Sequence, residues 1–208
     1  MRMLFVALLG CGMTAMALEP CGDTPVYRAC DIAFEVDAAA AKTAELWAEF
    51  RSPEYKTYRV AAFWDGGRRM VFRINPVLAG EWVYRISGNV AALEGKIDKF
   101  TAVANENATA FIQRANVHHW QYTEGRLPHL YMGADYQAGT PVEAYATAKF
   151  THLGVRVLAP GAYADPDTPN VAYFQRLDAT VAEMNAKGIT ADLIVAGTPE
   201  EMLKAFPD

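Results

Sequence analysis

Serine is nearly missing from this chain. Of its 208 residues only Ser52 and Ser87 are serine, and neither stands in the G-x-S-x-G setting that exposes a serine nucleophile, so a hydrolase of that type is excluded. Neither G-x-G-x-x-G nor G-x-x-x-x-G-K-[ST] occurs, and a nucleotide-binding sheet would lack its phosphate turn. The formal net charge is -5 with no Lys- or Arg-rich run, which argues against nucleic acid as a partner. Metal-ligand spacing is absent as well. The adjacent pair His118-His119 points to opposite faces of an extended segment and has neither an H-x-x-x-H spacing nor a Cys partner. No metal and no cofactor are expected. The longest apolar run, Leu4 to Met13, is too short to span a membrane.

What the chain does hold is enough apolar material for one or two cores, 52% hydrophobic against 21% charged, so disorder is not expected. Residues 1–17 carry a basic residue at position 2, the apolar run, and a small-x-small exit at Ala15-Met16-Ala17. That pattern predicts a secretory signal peptide and a secreted or periplasmic protein. Leu8-Leu9-Gly10-Cys11 also resembles a lipoprotein cleavage box, the less favoured alternative because cutting there leaves a very short apolar region. Of the three cysteines, Cys21 and Cys30 remain after such cleavage. They could pair across a short loop in an oxidising compartment. The favoured reading is instead that Cys30 is plain core with both thiols free, since Cys30, Ile32, Phe34 and Val36 alternate with Asp31, Ala33 and Glu35.

From Val26 to Val103 the apolar period is two, the period of a strand. Strands are expected at Cys30 to Val36, Ala44 to Phe50, Tyr58 to Phe63, Met70 to Ile74, Glu81 to Ile86 and Lys99 to Val103. Asp65-Gly66-Gly67 and Asn75-Pro76 supply turn signals. Trp82 falls on an inward face, whereas Trp47 and Trp64 are the better exposed candidates for stacking on a sugar ring. Six or seven short strands of this kind describe a two-sheet sandwich of immunoglobulin type over residues 22–105.

The stretch Trp120 to Gln137 is the seam between two expected domains. Trp120, Tyr122 and Leu127 flank Thr123-Glu124-Gly125, which reads as a tight hairpin within a linker over 106–128. Beyond it the period changes. An apolar run, Leu130 to Ala134, ends on Asp135; Thr140-Pro141-Val142-Glu143 opens a helix carrying Val142, Ala146, Phe150 and Leu153; a strand follows at Val155 to Ala159. Asn170 opens a second helix that Gly188 closes, the strand Ala191 to Ala196 is apolar except for Asp192, and Thr198-Pro199-Glu200-Glu201 starts a third helix. Repeats of this length predict a parallel sheet covered by helices. Asp135, Tyr136, Gln137 and Tyr163 then fall on loops where polar and aromatic groups could hydrogen-bond hydroxyls and stack on a sugar ring. The bland reading, that each only shapes its loop, stands beside it.

The run Phe63 to Gly67 (FWDGG), Arg73 to Pro76 (RINP) and Gly80 to Trp82 (GEW) resemble the N-terminal immunoglobulin-like domain of bacterial apiosidase-like glycoside hydrolases. The likeness continues past the seam, where Phe111-Ile112, the Glu124-Gly125 hairpin and Leu130 to Asp135 look like that family's entry into its barrel. The family usually shows Gly-Asp-Thr there, and this chain has Gly133-Ala134-Asp135-Tyr136. The resemblance implies a multidomain protein, an immunoglobulin-like β-sandwich followed by the first three β/α units of a TIM-type barrel over 129–208. It implies the N-terminal part of a secreted glycoside hydrolase acting on complex polysaccharide. In that clan the catalytic carboxylates end the fourth and seventh strands, so no catalytic residue is expected within this chain. The alternative is a non-catalytic carbohydrate-binding or surface-interaction β-sandwich protein.

Overall fold

A computed structural model describes residues 21–106, 110–165 and 168–195. The signal-peptide expectation over 1–17 and the third helix lie outside these residues. The chain divides into two compact units, residues 1–106 and 107–208.

In the first unit the strands are β1 (Thr24–Pro25), β2 (Cys30–Glu35), β3 (Leu46–Arg51), β4 (Thr57–Ala61), β5 (Phe63–Trp64), β6 (Arg69–Ile74), β7 (Gly80–Gly88) and β8 (Ile97–Val103). They form a five-stranded sheet ordered β1-β8-β7-β3-β4 and a three-stranded sheet ordered β2-β6-β5. Alternation decides which side chains go inward. In β3 Leu46, Ala48 and Phe50 are buried while Trp47, Glu49 and Arg51 are exposed, and in β7 Trp82, Tyr84 and Ile86 are buried between outward neighbours. These inward residues meet Ile32, Phe34 and Phe72 of the smaller sheet in one apolar core. Phe34 stacks on Phe72 with ring centroids 5.1 Å apart, and Trp82 stacks on Phe100 at 6.1 Å while its indole N–H donates to the Leu78 carbonyl at 2.9 Å. Burying side chains of this size stabilises by roughly 1.5–3 kcal/mol each, so the fit of this core dominates the unit.

Two local features pin the strands of this unit, the first where β7 leaves β3 within the five-stranded sheet. Gly88 ends β7 with φ 146°, and a Cβ there would lie 2.0 Å from the Glu45 carbonyl oxygen. Only glycine lets the two chains approach so closely. Asn89 seals the same junction, its side chain accepting from the Glu45 N–H and donating to the Thr43 carbonyl, each at 2.9 Å. The second feature is a disulfide between Cys21 and Cys30 with Cα atoms 5.6 Å apart. It corrects the expectation of two free thiols: Cys30 is only 2% exposed, as the alternation required, yet a buried sulfur at the head of a strand is also within reach of a cysteine nine positions earlier.

The second unit contains β9 (Ile112–Arg114), β10 (Trp120–Tyr122), β11 (Pro128–His129), β12 (Gly133–Asp135), α1 (Val142–Thr147), β13 (His152–Arg156), β14 (Tyr163–Asp165), β15 (Thr168–Pro169), α2 (Val171–Ala186) and β16 (Thr190–Ile194). Strands β9, β10 and β11 form an antiparallel sheet, and Gly125 and Arg126 turn the chain between β10 and β11 with φ 63° and 50°. Strands β12, β13 and β16 form a parallel sheet, and β14 and β15 an antiparallel ribbon. The helices cover one face of the parallel sheet: Val142 and Met184 pack on Leu153 and Val155.

The expected fold class is therefore corrected. Among the described residues sixteen strands lie in five small sheets with two helices, a mainly β protein and not an immunoglobulin-like sandwich joined to β/α units of a TIM-type barrel. Three physical causes stand behind the difference. Helix α1 lasts six residues because Lys149 turns to φ 65°, which frees Leu153 to join a strand. The chain after β13 enters the β14–β15 ribbon before any helix. The hairpin residues build a sheet of their own.

Candidate functional site

Register decides which side chains share a face of the parallel sheet. Ala134, Leu153 and Ala191 are lateral partners and turn toward the helices, where Leu153 is fully buried. By alternation the next row, Asp135, Gly154 and Asp192, turns to the opposite face, together with His152. The helix-covered face is apolar, and the other carries this polar row.

Gly154 lies at the middle of this polar row. A Cβ added to it would come within 3.0 Å of the Asp135 Oδ1 and 3.4 Å of the Ile194 side chain, so the glycine leaves a floor between the two carboxylate-bearing strands. With strands about 4.8 Å apart, Asp135 and Asp192 stand about 9 to 10 Å apart at their Cα atoms. Asp135 ends β12 and is exposed. Asp192 is committed to neighbours: its carboxylate accepts from His152 Nδ1 at 3.0 Å and from the Tyr131 hydroxyl at 3.1 Å.

Behind Asp192 runs a chain of buried polar groups. His152 Nε2 lies 2.7 Å from His129 Nε2, and His129 Nδ1 lies 2.8 Å from the Tyr122 hydroxyl. Both imidazoles are buried, and the Tyr131 ring covers His152 at a centroid distance of 4.2 Å. Burial, followed by the neighbouring His152, holds His129 below the ordinary histidine pKa, with Asp192 opposing weakly. The hydrogen bond to Asp192 pushes the Tyr131 hydroxyl up, and burial does the same to Tyr122. Thr151 pins the segment before β12: its hydroxyl donates to the Leu130 carbonyl at 2.6 Å and accepts from the Met132 N–H at 2.8 Å.

Of the residues singled out from sequence, Asp135, Tyr136 and Gln137 come together at the end of β12. Tyr136 is half-buried against Tyr145, with centroids 6.0 Å apart, and the Gln137 N–H donates to the Tyr145 hydroxyl at 3.0 Å. Tyr163 has another setting, on β14 with its ring edge-on to Phe174 at 6.2 Å. In the first unit Trp47 carries the Arg59 guanidinium 4.3 Å over its ring, and Trp64 has Lys42 at 5.5 Å. Sequence reasoning missed His129, His152, Tyr122 and Tyr131. Asp192, a lone carboxylate in an apolar strand, was the one signal that could have led to them. Chemically, the polar face offers carboxylate acceptors for hydroxyl groups, a glycine floor and tyrosine rings. No group of three or more His, Cys, Asp or Glu side chains among the described residues is arranged to hold a metal ion, and no helix among them is long and apolar enough to cross a membrane.

Residues 23–89 match a domain of unknown function, DUF5060. No curated protein matches the chain. Among solved structures, a protein from Bacteroides vulgatus described as a "putative glycoside hydrolase" shares the fold over 88% of this chain, with a TM-score of 0.76 at 20% identity. This chain spans 45% of that protein's length. The Lin-41 filamin domain aligns over 43% of this chain and 92% of its own, at 12% identity and a TM-score of 0.36, too low to carry an argument.

Proposed function

We propose that this chain is the N-terminal part of a secreted glycoside hydrolase acting on complex polysaccharide, in which the first unit is an accessory module and the polar face of the parallel sheet meets sugar. The observation that carries this reading is the row Asp135–Gly154–Asp192, two carboxylates across a glycine floor beside Tyr131. Carboxylates that accept from hydroxyls, next to aromatic rings, are how a protein holds a sugar in water. The fold shared with the Bacteroides vulgatus protein, and the 45% of that protein which this chain spans, agree with a part of a larger hydrolase. Secretion draws support from the Cys21–Cys30 disulfide, a bond that persists in oxidising compartments.

The test is binding of the full chain to an array of plant and bacterial polysaccharides. Binding that Asp135→Asn weakens at least tenfold and Trp47→Ala leaves unchanged supports the proposal. Binding lost in Trp47→Ala and kept in Asp135→Asn moves the sugar to the first unit and favours the non-catalytic alternative. No binding to any glycan overturns both.

A further inference from the structure

The Tyr122–His129–His152–Asp192 chain is directional, and the direction follows from counting protons. Asp192 is an acceptor when ionised, so His152 must present N–H at Nδ1 and a lone pair at Nε2. His129 Nε2, 2.7 Å away, must then be the N–H that fills that lone pair, which leaves its Nδ1 to accept from the Tyr122 hydroxyl. With both imidazoles neutral every polar atom in the chain is satisfied. One added proton is tolerated, because His129 Nδ1 can become a donor to the Tyr122 oxygen. A second is not: both Nε2 atoms would carry hydrogen across 2.7 Å between two cations buried together. The chain also spans a structural joint. Tyr122 and His129 belong to the antiparallel sheet β9–β11, and His152 and Asp192 to the parallel sheet. Among the described residues the apolar core around that sheet consists of Val142, Leu153, Val155, Met184 and Ile189, and no residue of β9–β11 belongs to it.

We propose that the His129–His152 bridge is an acid-released latch, holding the β9–β11 sheet on the parallel sheet at neutral pH and letting it go when the pair takes a second proton. The groups facing the two imidazoles are Tyr122 from β10, Tyr131 from the segment before β12, and Asp192 from β16. Asp192 is the one carboxylate among them, and it faces His152. Burial lowers the His129 pKa, so the unlatched state binds more protons than the latched one. Stability of the joint is therefore full above about pH 7 and falls as pH drops through the ordinary histidine range near 6.5. This inference does not depend on the sugar reading.

The experiment uses the full chain labelled with ¹⁵N. Long-range imidazole spectra at pH 8 should show His152 protonated at Nδ1 and His129 at Nε2, with the bridging proton far downfield. Lowering the pH to 4.5 should cost the amides of Ile112–Arg114 and Trp120–Tyr122 at least tenfold in hydrogen-exchange protection, while Leu46–Arg51 keeps its own. In His129→Phe, which replaces the bridge by a ring that does not titrate, protection of the same amides should be independent of pH. Wild-type imidazoles that both become cations with hairpin protection unchanged would overturn the latch, even if the Phe variant fails to fold. So would a Phe variant with the wild-type pH profile, or stoichiometric zinc uptake by the pair at pH 7.5, which would make it a metal site.

Discussion

The two units of this chain are held together by different physics. In the first, eighteen buried hydrophobic side chains among the described residues form one continuous cluster, and the specific devices, a disulfide and a glycine junction, sit at its margins. In the second, five buried hydrophobic residues among those described make the cluster, and a string of hydrogen bonds through two histidines crosses between sheets. Apolar burial is indifferent to pH. A hydrogen-bond chain between titratable groups is not, and a unit that leans on one inherits its proton count.

That contrast is most directly broken in the first unit's core. Replacing Trp82, fully buried, by alanine should cost about 3 to 5 kcal/mol, read from denaturant unfolding with hydrogen exchange of β3 to locate the loss. A cost under about 1 kcal/mol would mean the cluster is not what holds the unit. Next in size is the staple: Cys21→Ala opens a loop of nine residues' separation and should cost about 2 to 3 kcal/mol. Thiol titration of the unfolded wild type without reductant should find neither Cys21 nor Cys30 free.

In the second unit, Asp192→Ala removes the acceptor of a buried imidazole N–H. The penalty for such a group is about 1 to 3 kcal/mol, and the lower end applies because the Asp192 side chain is 39% exposed and water can take its place. The loss should be confined to exchange protection in β13 and β16, and loss spread evenly over both units would erase the contrast. The smallest effect is expected at Trp47→Ala. That ring is 38% exposed beneath Arg59, so the cost should be about 0.5 to 1 kcal/mol, visible as a small shift in the unfolding midpoint.

Much of the first unit was legible in the sequence because strands repeat every two residues and its faces are unambiguous. Cys30, Ile32 and Phe34 point inward as their alternation demands, and Trp82 is core as expected. The disulfide was not legible, because a buried cysteine in a strand satisfies the core reading and the bonded reading equally. In the second unit the helical spacing Val142, Ala146, Phe150, Leu153 was followed past its true end, since a break at Lys149 leaves no apolar gap. That error hid His152 at a helix end when it begins β13. The histidine chain joins partners 23 and 40 residues apart. No local period records such meetings: the register of the parallel sheet brings Asp192 to His152, and His129 arrives from β11 of the antiparallel sheet.

The junction at Gly88 has a consequence for how this chain can vary. Most glycines in turns are replaceable by asparagine, which also enters the left-handed region. Gly67 and Gly95, at φ 54° and 75° with open space where a Cβ would stand, belong to that permissive kind. At Gly88 the obstacle is the Glu45 carbonyl itself, a backbone atom that no rotamer can move aside. Selection for folded chains from a library randomised at 67, 88 and 95 should therefore return several residues at the outer two positions and glycine alone at 88.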